Sequence, residues 1–208
     1  MSPKVSKEHR EQRRANIIKA ATNLFIDQGY ERTTMEHVMD AAKISKGGLY
    51  QYFSNKENLF ETILEEDLHR VVSETEQILE GEVESYWNLL LLRMFGDQME
   101  PTDRMDPLAP SKLEFFLTGR SDERRRAYGN ERYSLGVKLY ADIIAAGQRH
   151  GEFSNHYCNQ ILARTIVTFV DGLAVDDSHL SKENLKMKEQ YVMFLEYLMM
   201  ALNISGSK

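Results

Sequence analysis

Apolar residues recur every three to four positions along almost the whole chain, and no stretch alternates apolar and polar long enough to make a strand. A period of 3.6 residues puts such side chains on one helix face, so the chain has to bury helix stripes against each other. The fold class is therefore all-α. A length of 208 residues suits one domain, or one with a small satellite. With 42% hydrophobic and 28% charged residues, the composition supports a packed core rather than disorder. The most apolar run, 161 to 175, contains Arg164 and Asp171. It is shorter than the roughly 20 residues a spanning helix needs, so no membrane partner is expected. The single Cys158 allows no intramolecular disulfide, suits a reducing compartment and reads as buried filler. The N-terminus is polar and basic without an apolar signal segment, so a cytoplasmic protein is expected.

Caps and breakers divide the pattern into helices. From Lys7 to Gln28, Ile17, Ala21, Leu24 and Phe25 share a face, and Gly29 is a C-terminal stop. Thr34 caps a short helix through Ala42, and Ser45 caps another holding Leu49, Tyr50, Tyr52 and Phe53. Ser54 and Glu57 form a capping box for a helix from Asn55 to Glu80, about 39 Å long at 1.5 Å per residue. Tyr86 to Phe95 is apolar on nearly every side and stops at Gly96; Pro101, Pro107 and Pro110 mark a loop from Asp97 to Pro110. Further helices are expected around Lys112 to Leu117, from Ser121 to His150, from Asn155 to Val175 and from Ser181 to Asn203.

Charge is segregated along this series. The chain has 26 basic and 32 acidic residues, yet residues 1 to 56 carry a net of +4 and the remainder a net of −10. Phosphate attraction acts over about a Debye length of ~10 Å, so a basic head can face nucleic acid despite an acidic body. Residues 33 to 53 fit that role. Two short helices, joined by a tight turn and bearing small Ala41 and Ala42 at their approach, make a helix-turn-helix whose second member can enter a DNA major groove. Lys46 suits guanine and Gln51 adenine, while Ser45, Tyr50, Tyr52 and Lys56 can donate to phosphates; Thr33 and Thr34 are further DNA-binding candidates. Gly47 and Gly48 weaken a helix, and close approach to DNA gives them a reason.

Phe25, Gly29, Tyr30, Thr33, Thr34, Val38, Ala41, Ala42, Ser45, Gly47, Leu49, Tyr50, Tyr52, Phe53, Lys56, Glu57 and Leu59 together resemble the TetR family of bacterial transcriptional regulators. The match covers roughly the first 65 residues, about a third of the chain. Lys43 departs from it, since the family has Gly at that turn position; either the backbone avoids positive φ there or Lys43 bears strain. The resemblance implies a DNA-binding domain at 1 to 54, and at 55 to 208 a helical bundle for effector binding and dimerisation. It also implies a repressor that a small, mostly apolar effector releases by shifting the long helix. Candidate pocket residues are Trp87, Met94, Phe95, Phe115, Phe116, Tyr133 and Tyr140.

A single recognition helix makes few contacts, so specific reading of a palindromic operator calls for a homodimer whose heads sit about 34 to 36 Å apart. Leu185, Val192, Leu195, Met199 and Leu202 fall at heptad a and d spacing, beside a second row of Met187, Tyr191, Phe194 and Leu198. With Ile161 and Phe169 on the preceding helix, one of the rows can face a partner subunit. Two other classes compete. A helical metalloenzyme would use Glu66 with His69 and Asp176 with His179, but the extra inward carboxylates it needs are not evident. An architectural DNA binder would need no effector pocket. The chain shows no phosphate loop, nucleophile elbow or zincin motif, so neither catalysis nor a cofactor or metal is expected.

Overall fold

The computed structural model describes residues 7 to 204, which form ten α-helices and two 3₁₀ turns with no strand among them. The helices are α1 (Lys7–Gln28), α2 (Met35–Ala42), α3 (Lys46–Tyr50), α4 (Lys56–Glu80) and α5 (Tyr86–Phe95), followed by α6 (Ala109–Thr118), α7 (Glu123–Arg149), α8 (Asn159–Asp177), α9 (Lys182–Leu185) and α10 (Met187–Leu202). They divide into two compact units, one from residues 7 to 67 with 107 to 126, the other from 68 to 106 with 127 to 204. The divisions fall inside α4 and α7, and residues 107 to 126 join the unit that holds α1 to α3.

The first unit is built on aromatic contacts. Phe25 of α1, Tyr30 and Phe60 of α4 meet with ring centroids 4.7 to 5.9 Å apart. Phe115 of α6 closes the cluster, 5.0 Å from Tyr30 and 5.3 Å from Phe60. Ile17, Ala21, Val38, Leu49 and Leu59 are completely buried around it. Arg124 and Arg125, in the first turn of α7, then reach back to α4. Arg124 grips both oxygens of Glu61 at 2.9 and 3.1 Å and also contacts Glu57; Arg125 joins Glu57 at 3.2 Å and the Tyr30 hydroxyl at 3.2 Å. Burial pushes the Glu61 carboxyl above the usual range. Glu57 is thus an ion-pair residue. The capping exchange at the start of α4 belongs instead to Asn55, whose Oδ1 accepts from Asn58 N at 2.7 Å, while Asn58 Oδ1 accepts from Ser54 N.

The second unit packs α5, α7, α8 and α10 around Leu90, Ala141, Ile143, Ile144, Ala163, Ile166 and Leu202. Gly147 is required here, because a Cβ would meet the Phe153 ring at 2.3 Å. Glu152 caps the positive end of α5 from 65 residues away, accepting from Tyr86 N at 2.8 Å and Trp87 N at 2.9 Å. The final helix is broken: Lys186 adopts φ 45° and ψ 50°, so α9 ends and α10 restarts one residue later. Pro110 lies in the first turn of α6 rather than in a loop, a position where its missing N–H costs nothing. Cys158, expected in a core, is exposed immediately before α8.

Candidate nucleic-acid interface

The helix-turn-helix is set by its caps. Thr34 Oγ1 accepts from His37 N at 3.2 Å to start α2, and Ser45 Oγ accepts from Gly48 N at 3.2 Å to start α3. Between them Lys43 takes the left-handed conformation, φ 54° and ψ 49°, and its N–H turns back to Asp40 O and Met39 O. The turn is therefore the positive-φ form, and Lys43 bears the strain that glycine would avoid. Only Leu49 of α3 is buried, anchoring a five-residue helix that exposes Lys46, Gly47 and Tyr50, with Gln51 exposed just past its end. The two glycines differ. A Cβ on Gly48 would press on Ser45 Oγ at 3.3 Å, whereas one on Gly47 would meet nothing within 4 Å. Gly48 serves the cap; the protein's own packing gives Gly47 no reason.

The candidate contacts sort by position. Thr34, Ser45, Lys46, Gly47, Tyr50 and Gln51 lie exposed on the two helices and their caps, and Tyr52 is half-buried beside them. Lys46 Nζ sits 6.0 Å from the Tyr50 ring centroid, so cation and hydroxyl share one patch. Thr33 does not belong to it. Fully buried, it donates to Gly29 O at 2.7 Å, because the turn after α1 leaves that carbonyl without a helical partner. Lys56 is already committed: its ammonium donates to Tyr30 O at 2.7 Å and Glu31 O at 3.2 Å, over the Tyr30 ring. Burial lowers its pKa. The dipole conflict expected for a lysine at this helix start is thus met by internal carbonyls. Sequence reasoning passed over a hollow beside the turn, lined by His9, Gln12, Arg13, Asn16, Lys43 and Ile44, which adds two cations near α2 and α3. The only signal for it was the basic start of α1.

The candidate pocket residues separate between the units. Phe115 is completely buried in the aromatic core of the first unit and Phe116 meets it edge-on at 5.2 Å, so neither is free to line a pocket in the body. Trp87, Met94 and Tyr140 are partly buried against the main core of the second unit, and Phe95 meets Tyr191 at 5.0 Å. Tyr133 is on the surface, with the Arg164 guanidinium 5.7 Å from its ring. Arg93 and Tyr191 are not among the expected pocket residues, Tyr191 figuring in the sequence only as part of an apolar row; Tyr140 donates to Arg93 O at 3.3 Å, and burial raises both tyrosine pKa values.

The expected dimer row is split as well. Ile161 and Val192 are exposed and Leu195 and Met199 half-exposed, but Leu185 and Leu202 are buried within their own chain. The break at Lys186 turns Leu185 out of register with α10, and Leu202 faces the core with Leu198. Phe169 stacks face to face on Phe194 at 4.1 Å. The exposed apolar face consists of Ile161 and Val175 on α8 with Val192, Met193, Tyr197 and Met200 on α10. A groove of about 560 Å³ runs between the two helices, lined by Ile161, Arg164, Thr165, Thr168, Phe169, Phe194 and Tyr197.

Comparison with known proteins places this architecture. Residues 17–63 match the model for bacterial regulatory proteins of the tetR family, and residues 94–188 match the tetracyclin repressor-like C-terminal domain. The HTH-type transcriptional regulator YfiR of Bacillus subtilis (strain 168) is 32% identical over 185 residues, 88% of each chain. The chain belongs to the TetR family of transcriptional regulators. It is accordingly a DNA-binding regulator and not an enzyme. Two solved structures share the fold of this TetR-family protein. Salmonella enterica GusR has a TM-score of 0.69 at 21% identity, covering 97% of this chain and all of the other. FadR from Bacillus subtilis in complex with stearoyl-CoA has a TM-score of 0.61 at 18% identity, covering 87% and 96%. No helix among the described residues is long and apolar enough to cross a membrane.

Proposed function

We propose that this TetR-family regulator binds a palindromic operator as a homodimer in the cytoplasm, represses transcription from it, and is released when a small effector occupies the second unit. The observation that carries the reading is the exposed end of α3. Lys46, Gly47, Tyr50 and Gln51 project from a helix anchored only by Leu49, and Gly47 leaves its backbone open where nothing of the protein lies near. Such an end reaches base edges and phosphates in a major groove, with Lys46 and Gln51 for bases and Thr34, Ser45, Tyr50, Tyr52 and Lys43 for backbone. Lys56 contributes by holding the start of α4 to the turn after α1.

Dimerisation is proposed on the α8 and α10 face, where Ile161, Val192, Met193, Tyr197 and Met200 would otherwise leave apolar surface in water. A ligand in the second unit is supported by its half-buried Met94, Phe95 and Tyr140, and by FadR, a protein of the same fold that holds stearoyl-CoA. Because α4 and α7 contribute residues to both units, they can carry a change in the body to the head. The experiment is selection of bound fragments from the source organism's genomic DNA by the purified protein. A recurrent palindrome with half-sites one helical turn apart is the expected result; no enriched sequence from ligand-free protein would contradict the proposal.

A further inference from the structure

Among the described residues, Arg93 of the second unit has a buried charged side chain whose hydrogen bonding is incomplete. Arg93, in the last turn of α5, has a side chain only 10% exposed, and its buried Nε makes no hydrogen bond. Its Nη1 lies 3.5 Å from Glu74 Oε2, a long single-point contact, and Arg70 engages the other oxygen of the same carboxylate at 3.3 Å. Glu74 therefore touches one corner of the guanidinium. The edge formed by Nε and Nη2, which takes a carboxylate side-on through two parallel hydrogen bonds, is left over.

The surroundings supply the rest of a site. Tyr140 is held against Arg93 through its bond to the Arg93 carbonyl. Tyr191 lies edge-on to Phe95 at 5.0 Å and to Phe169 at 5.5 Å, and its hydroxyl bonds to no other described residue. Met94, Phe95, Met105, Phe169 and Val170 are only partly buried where they pack on Leu173, Leu185, Met187 and Tyr191. Met94 and Phe95 follow Arg93 directly in α5, and Tyr140 lies within electrostatic reach of both Arg93 and Tyr191, so an enclosed cation with an unbonded Nε stands near partly covered apolar side chains, a pairing that matches a molecule with one anionic end and an apolar remainder.

We propose that the effector is an amphipathic carboxylate, seated side-on at the Nε edge of Arg93 with its apolar part against Met94, Phe95, Met105, Phe169 and Tyr191. This rests on the reading of the second unit as the effector-binding body. The full-length protein is titrated with matched probes, decanoate against decanol and 4-phenylbutyrate against its primary amide, following Trp87 fluorescence and the thermal midpoint. Each carboxylate is expected to bind about ten- to a hundred-fold tighter than its neutral partner. Arg93→Gln should abolish that preference while leaving the neutral probe unchanged, and Arg93→Lys should restore part of it. Equal affinities within both pairs, or a preference that survives in Arg93→Gln, would overturn the proposal. If Arg93→Gln fails to fold, the wild-type comparison decides alone, since the charge is altered on the ligand. Binding of neutral probes without a carboxylate preference removes only the anion assignment; no binding by either kind, with operator affinity unmoved, removes the effector reading too.

Discussion

The two units treat their interior polar groups differently. In the first, Thr33 donates to Gly29 O, Ser111 donates to Phe25 O at 2.6 Å, and Glu61 is held by Arg124 at two points, all around a closed aromatic cluster. In the second, Arg93 Nε is buried without a partner, Met94 and Phe95 stay half-buried, and a stripe from Ile161 to Met200 faces water. A reader of DNA meets a partner of fixed dimensions and gains from a head that is already rigid. On the proposed reading the body is completed by a partner subunit and an effector, which accounts for the surface and hydrogen-bonding capacity it keeps unspent.

That contrast can be broken most sharply in the cores. Phe115→Ala removes a completely buried ring of the first unit and should destabilise the protein by about 3–5 kcal/mol, whereas Phe95→Ala, at a half-buried ring of the second, should cost about half as much or less. Equal losses in denaturant unfolding would mean that the body is packed as tightly as the head. Next in size is the exposed stripe. Met193→Glu together with Tyr197→Glu puts two like charges on the proposed dimer face and should shift the protein to monomer in sedimentation, with a weakening of operator binding of at least about tenfold. An unchanged dimer would place the interface elsewhere.

Smaller effects sharpen the picture of the head. Lys46→Ala should relax base preference at one position per half-site and also flatten the dependence of log affinity on log salt by up to about 1 per protomer, because its ammonium displaces a counterion in the groove. Lys56→Met should leave that slope nearly unchanged and lower thermal stability instead, because its ammonium is spent on Tyr30 O and Glu31 O. A slope change in Lys56→Met as large as in Lys46→Ala would return Lys56 to the DNA surface. The smallest expected effect is at the turn. Lys43→Gly relieves a left-handed residue and should stabilise the protein by about 1 kcal/mol or less, read as a small rise in midpoint.

The same comparison separates what was legible in the sequence from what was not. In the head the caps Thr34 and Ser45, the stop at Gly29 and the anchors Val38 and Leu49 act within a few residues, so local chemistry suffices to place them. Thr33 and Lys56 escaped that reading because their partners lie across a turn: a threonine filling an orphan carbonyl and a lysine doing the same look identical in sequence to phosphate donors. Distance in sequence hid more in the rest. Phe115 packs on Tyr30, 85 positions earlier, and Glu152 caps α5 over 65 residues; no local pattern encodes either. The heptad reading of the last helix failed at Lys186, where a positive φ without glycine breaks the register that Leu185 and Val192 share on paper.

The most direct test is fluorescence anisotropy of the ligand-free protein on its selected palindrome and on a scrambled duplex of the same length, across 50 to 200 mM salt. A specific dimeric reader predicts a thousandfold or greater preference for the palindrome, two protomers per site and a steep salt slope on both duplexes, by about the typical specificity ratio of 10³–10⁷. Equal affinity for the two duplexes, or binding that saturates at one protomer per palindrome, would contradict it.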